Sequence, residues 1–190
     1  MKLLTIGMDV DDVLFECAGY ALQIVNEQRK PEDRMDLEEI RGWGKQGTRT
    51  DAILELFNDP EFYRTQPVRA GAAGFIHALV QKGYDLCVVT AVRPQFMKIR
   101  MDRLTEAFPE LPEENIILTA RKEFFCTDIL LDDGPHNIKN SGARYPVVYD
   151  RPWNRDLANF PRVRNYGEFL KTADDIAFRE FDGRRAILEC

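Results

Sequence analysis

Leu3-Leu4-Thr5-Ile6-Gly7-Met8-Asp9-Val10-Asp11-Asp12-Val13-Leu14 is the stretch on which the fold turns. A short apolar run leads directly into three acids within four positions. A run of this length, rich in Leu and Ile, reads as a buried strand. In open α/β sheets, ligands bind at the C-terminal ends of strands. Carboxylates this close repel one another unless a cation lies among them. Oxygen donors of this kind suit Mg²⁺. The stretch therefore predicts a first β-strand ending in a metal-binding acidic loop.

Outward from that loop, residues 14 to about 28 carry Leu14, Ala18, Ala21, Leu22 and Val25 at helical spacing. The polar segment with Pro31 ends that helix. From Met35 to about Thr65 the character changes. Short helical pieces at 37–40 and 51–57 flank Gly42-Trp43-Gly44-Lys45-Gln46-Gly47, and Asn58-Asp59-Pro60 breaks the chain again. Residues 16–65 thus read as a small helical cap inserted after the first strand, with residues 1–15 and 66–190 as the core domain.

The core then resumes in alternation. A helix is predicted over 71–82, with Phe75, Ile76, Leu79 and Val80 inward and Gly83 at its end. A strand follows at 85–89, then a helix at 94–108 with Pro94 in its first turn. Further strands are predicted at 116–118, 129–131 and 146–149. Short strands alternating with helices make an α/β fold, a Rossmann-like parallel sheet flanked by helices. The charged stretch 174–190 reads as a surface helix followed by a short strand.

With 190 residues the chain can build one sizeable core. Its formal net charge of −6 argues against a polynucleotide-binding surface. A small phosphate ester held by a few local cations remains compatible. The four cysteines are scattered without a C-x-x-C, and there are only two histidines, so a zinc site is not expected. Cys87 and Cys126 lie in or beside apolar runs and read as buried free thiols. Met1-Lys2 leads straight into the strand and no long apolar span follows, so the expectation is a cytoplasmic protein without a membrane partner.

Four polar spots fall at or between strand ends: Asp9/Asp11/Asp12, Thr90, Lys122 and Asp132/Asp133. Strand C-termini of a parallel sheet share one edge, so these distant residues should converge. Each alone is ordinary. A strand-end Thr or an Asp-Asp-Gly is usually a turn, and a lone Lys is usually solvated. Their order on alternating elements is what carries the reading.

That order, D-x-D, T, K and D-D, resembles the haloacid dehalogenase superfamily of phosphohydrolases. Val88-Val89-Thr90-Ala91 looks like its second motif, Lys122 its third, and Leu131-Asp132-Asp133 its fourth. More narrowly, the chain resembles the bacterial 5′(3′)-deoxyribonucleotidases. The resemblance rests on Met8 to Leu14, on the eleven-residue step from Lys122 to Asp133, on Tyr149-Asp150-Arg151-Pro152-Trp153-Asn154, and on Arg162-Val163-Arg164-Asn165-Tyr166. It spans roughly residues 3 to 172. One departure stands out: the family usually has Gly where this chain has Asp12. Asp tolerates unusual loop conformations. It also favours helix N-termini, and capping the next helix is the structural alternative for Asp12.

The resemblance implies a Mg²⁺-dependent phosphomonoesterase acting on nucleoside monophosphates. Asp9 would be the nucleophile and Asp11 the acid/base. Asp9, the Asp11 carbonyl and Asp133 would bind the metal, with Asp132 in support. Thr90 and Lys122 would hold the phosphate, with Arg93 close enough to assist. Trp43 and Phe15 are candidates for stacking on the base, although both are also natural core residues. Lys45, Arg49 and His136 are further polar neighbours. A nucleotide-like phosphate ester is the expected partner, and a homodimer is left open. The alternatives are a phosphatase for another small ester, such as a sugar phosphate, or a non-catalytic or polynucleotide-processing binding module.

Overall fold

The computed structural model describes residues 4–42 and 49–188, with side chains as far as residue 180. The opening apolar run forms β1, Thr5–Met8, and Ile6 and Met8 have no exposed surface. Four more strands lie where the apolar runs predict them: β2 (Asp85–Thr90), β3 (Ile116–Leu118), β4 (Ile129–Asp132) and β5 (Tyr145–Tyr149). A two-residue β6, Arg162–Val163, completes the sheet. All pairings are parallel, in the order β3-β2-β1-β4-β5-β6. The chain runs outward from β1 through β2 and β3, then returns to the other side of β1 for β4. That reversal is the switch point at which α/β sheets bind ligands. It brings the ends of β1, β2 and β4 side by side.

Helices flank the sheet. They are α1 (Ala18–Glu27), α2 (Asp51–Leu56), α3 (Pro60–Thr65), α4 (Ala72–Gln81), α5 (Met97–Ala107), α6 (Pro135–Asn140) and α7 (Tyr166–Leu188). The apolar stripe of α4, with Phe75, Ile76 and Leu79, packs into the main core beside β1 and β2. Gly83 ends this segment at φ 78°, a left-handed conformation that costs glycine nothing. A second apolar cluster joins Ala18, Ala21, Leu22 and Val25 of α1 to Ile40, Ile53 and Phe62, and closes against Phe96 and Trp153.

Three sequence expectations change. The helix after the acidic loop starts at Ala18 and not at Leu14. The reason is local: the carbonyl of Val10 collects the N–H groups of Val13, Leu14 and Phe15, which closes the chain into a turn. Cys126 is exposed and Cys87 half-buried, because an apolar neighbour in sequence does not decide which way a thiol points. The C-terminal helix begins at Tyr166, well before the charged stretch, and runs unbroken to Leu188 where a short strand was expected.

Candidate active site

The site grows from Asp9, the first residue past β1. Its N–H still donates to the carbonyl of Leu131 on β4, so the strand pairing fixes its backbone. Its Oδ1 lies 2.6 Å from Lys122 Nζ, which also donates to Asp132 Oδ2 at 2.9 Å. Lys122 sits in the short turn Lys122–Phe124 after β3 and is buried. Burial alone would lower its ammonium, but Asp132 and Asp9 outweigh that and hold it above its ordinary range.

Asp132 is saturated. Its carboxylate accepts from Lys122, from the Gly134 N–H at 2.7 Å and from Asn137 Nδ2 at 3.0 Å. Asp133, the next residue, turns the other way, and among the described residues its carboxylate takes one bond, from Trp153 Nε1 to Oδ2 at 2.8 Å. Asp9, Asp132 and Asp133 each offer a carboxylate oxygen, all within 4.8 Å of one another. A single ammonium cannot balance three buried acids. Burial pushes Asp9 up to about 7, with Lys122 opposing and Asp132 and Asp11 reinforcing the rise. Burial, then Asp9, Asp12 and Asp132, push Asp133 well above the usual carboxylate range. A buried cluster of oxygen donors with unbalanced negative charge fits a hard divalent cation. Asp132 joins this carboxylate cluster, whereas the Asp11 side chain is engaged elsewhere.

Asp11 faces two residues that the sequence reading passed over. Gln66 Nε2 donates to its Oδ1 at 2.7 Å, and Arg100 Nη2 lies 2.8 and 3.0 Å from its two oxygens. Arg100 is a fully enclosed arginine, 2% exposed, seated against the rings of Phe15 and Tyr63. One signal could have exposed it. Phe96, Arg100 and Leu104 are all buried and recur every four residues, so a charge sits on the apolar stripe of α5. Asp12 takes the capping role. Its φ is 59°, the only positive φ of a non-glycine among the described residues. Its carboxylate accepts from the N–H groups of Cys17 and Ala18 at the start of α1. Its carbonyl accepts from Arg151. Burial pushes it up to about 7, with Arg151 and the α1 main chain opposing.

These groups border a cavity of about 600 Å³. Asp9, Asp11, Lys122 and Asp133 form its polar floor, and Cys17, Leu54 and Phe57 line it as well. His136 and Asn137 stand on the α6 side. The Thr90 hydroxyl at the end of β2 is fully buried and has no hydrogen-bond partner among the described residues, which leaves it able to donate to a ligand. Arg93 is exposed and does not line the cavity. Phe15 is corrected most firmly: it is 0% exposed and packs edge-on against Phe108 in the main core, leaving no face for a base. Arg49 braces its own neighbourhood, pairing with Glu39 and donating to the carbonyls of Asp33 and Arg34. Trp43 and Lys45 lie outside the described residues.

A parallel sheet with an acid after β1, a buried lysine after β3 and an acid pair at the end of β4 defines a hydrolase of the haloacid dehalogenase type. Solved structures share the fold. A haloacid-dehalogenase-family hydrolase from Deinococcus radiodurans, with bound phosphate and sodium, superposes with a TM-score of 0.63 at 15% identity, covering 92% of this chain and 96% of that one. A magnesium-bound hydrolase of the same type from Bacillus subtilis gives 0.56 at 16% identity, covering 92% and 100%. In sequence, a 5′(3′)-deoxyribonucleotidase of Bacillus subtilis is 30% identical over 166 residues, 86% of this chain and 94% of its own length. That of Clostridium acetobutylicum is 25% identical over 174 residues, 86% and 91%. Residues 2–176 match the family described as 5′ nucleotidase, deoxy (Pyrimidine), cytosolic type C protein, and the chain belongs to it. It is a phosphoric monoester hydrolase, a nucleotide phosphatase of the haloacid dehalogenase superfamily. No helix among the described residues is long and apolar enough to cross a membrane.

Proposed function

We propose that this chain hydrolyses deoxyribonucleoside monophosphates with Mg²⁺ through a phosphorylated Asp9. The observation that carries the reading is one cavity with two characters. Asp9, Lys122 and Asp133 floor it, while Leu54 and Phe57 offer an apolar wall. Its volume lies within the ~300–1,000 Å³ common to small-molecule pockets. The phosphate belongs at the floor and the nucleoside against the wall, so residues 16–65 act as the cap that selects the leaving group.

An Asp9 oxygen attacks phosphorus, and the bond to the sugar oxygen breaks. Asp11 gives that oxygen a proton, then takes one from the water that releases phosphate from Asp9. The Lys122 ammonium neutralises phosphate oxygens and holds the attacking carboxylate. The Thr90 hydroxyl donates to the same oxygens. Asp9, the Asp11 carbonyl and Asp133 would hold the cation, which offsets the repulsion between carboxylate and phosphate. Asp132 stays with Lys122 and Asn137.

The test is phosphate release from a panel of deoxyribonucleotides, ribonucleotides and sugar phosphates with Mg²⁺, for the native chain and Asp9→Asn. Release from deoxyribonucleotides that is abolished by Asp9→Asn is expected. Full turnover by Asp9→Asn would remove the nucleophile assignment. Faster turnover of sugar phosphates than of every nucleotide would remove the substrate assignment.

A further inference from the structure

We propose that Trp153 is a positioning residue for the metal, its indole N–H determining which oxygen of Asp133 faces the cation. The inference rests on the reading of Asp133 as a metal ligand. Trp153 lies in the turn Pro152–Asn154 that follows β5, with its ring buried. Its Nε1 donates to Asp133 Oδ2 at 2.8 Å. Among the described residues it is the only donor to that carboxylate. The next residue grips the same aspartate from the other side: Asn154 Nδ2 donates at 2.8 Å to the carbonyl of Asp133, and at 2.8 Å to that of Tyr149. Consecutive residues thus fix both the backbone and the side chain of Asp133, and leave Oδ1 for the ion.

A buried tryptophan N–H usually finds some acceptor, and a main-chain carbonyl would satisfy it. Here the acceptor is a carboxylate with no other donor among the described residues. A neutral donor suits this task. It locks the rotamer of a ligating acid without bringing a positive charge that would compete with the cation. Asp132 shows the contrast, since Lys122 takes its Oδ2, Gly134 its Oδ1, and Asn137 lies 3.0 Å from both. Trp153 also belongs to the apolar cluster of the insertion and lines the cavity. One side chain therefore connects packing in the cap to the orientation of a metal ligand.

The experiment measures Mn²⁺ binding to the full chain by the electron paramagnetic resonance signal of free Mn²⁺. Three proteins are compared with the native one: Trp153→Phe, the chain carrying β-(3-benzothienyl)alanine at position 153, and Asp133→Asn. The benzothienyl analogue keeps the fused ring and deletes only the N–H, so it serves if Trp153→Phe folds poorly. Mn²⁺ binding about 10–100-fold weaker in a variant with native metal-free melting supports the proposal. Native Mn²⁺ affinity in the analogue overturns it. Asp133→Asn separates the two levels of argument. If it binds Mn²⁺ as the native chain does, the metal-ligand reading itself fails. If it loses binding while the analogue does not, only the role of Trp153 fails.

Discussion

Arg100 holds Asp11. A single guanidinium nitrogen, Nη2, lies between the two carboxylate oxygens at 2.8 and 3.0 Å, and the arginine is shut away from water behind Phe15 and Tyr63. With Gln66 on the same carboxylate, this fixes the direction in which the proposed acid/base group points. A positioned acid/base contributes roughly 10²–10⁴-fold to rate. Arg100→Met is therefore expected to lower kcat by at least about tenfold out of that range, with KM changed far less. Steady-state kinetics decides it, and an unchanged kcat would show that Asp11 needs no such guide.

Lys122 bridges Asp9 and Asp132 in a buried site. Removing one partner of a buried ion pair leaves unbalanced charge and costs roughly 3–5 kcal/mol. Lys122→Met should lose stability by about that amount in urea denaturation with a chelator present, and should lose phosphatase activity. Added divalent metal should restore part of the stability. A variant as stable as the native chain without metal would contradict the charge balance described for the site.

Burial pushes the Asp12 carboxyl up from its ordinary 3.8 to about 7 in the folded chain. The folded state therefore keeps a proton that the unfolded state has already lost. Stability in metal-free buffer falls as pH rises from about 4 to 7 and levels off above that. Asp12→Asn keeps an acceptor for the α1 N–H groups and tolerates the left-handed backbone. It should match the native melting temperature near pH 4 and exceed it near pH 8. A constant offset across that range would argue against a buried charge at Asp12.

Phe15 is core, so its replacement should register in folding and not in substrate binding. Phe15→Ala is expected to cost about 3–5 kcal/mol. Phe15→Leu keeps much of the volume and should cost under about 1.5 kcal/mol, with KM for the nucleotide essentially unchanged. A large rise in KM for Phe15→Leu would return the residue to the binding site.

The strands were legible because each is an apolar run of the right length, and Asp9, Asp132 and Asp133 were legible because they end such runs. The two residues of β6 carry no pattern that could announce a strand. The start of α1 was misplaced because Val10 gathers three N–H groups in a turn that helical spacing cannot register. The supporting side chains were hidden for a different reason. Arg100 and Gln66 meet Asp11 from 89 and 55 residues away, and such contacts exist only after the sheet has assembled. Phe15 misled because proximity to the acidic loop in sequence says nothing about which face of the loop a ring occupies. The Asp12 substitution turned out to be local chemistry, a left-handed residue whose side chain also caps a helix.

Asp132 and Asp133 are chemically identical neighbours with separate duties, and what separates them is the end of β4. Asp132 is still paired in the sheet, opposite Val148 of β5, and its side chain goes to Lys122. Asp133 is one step past that pairing and goes to Trp153. Sliding β4 by a single residue against its neighbours would move both acids out of their positions and bring Leu131 or Gly134 into one of them. The alignment of the sheet is thus an address system: it tells two equivalent carboxylates apart, and the hydrophobic residues that lock β4 in place protect catalysis as much as they protect the fold.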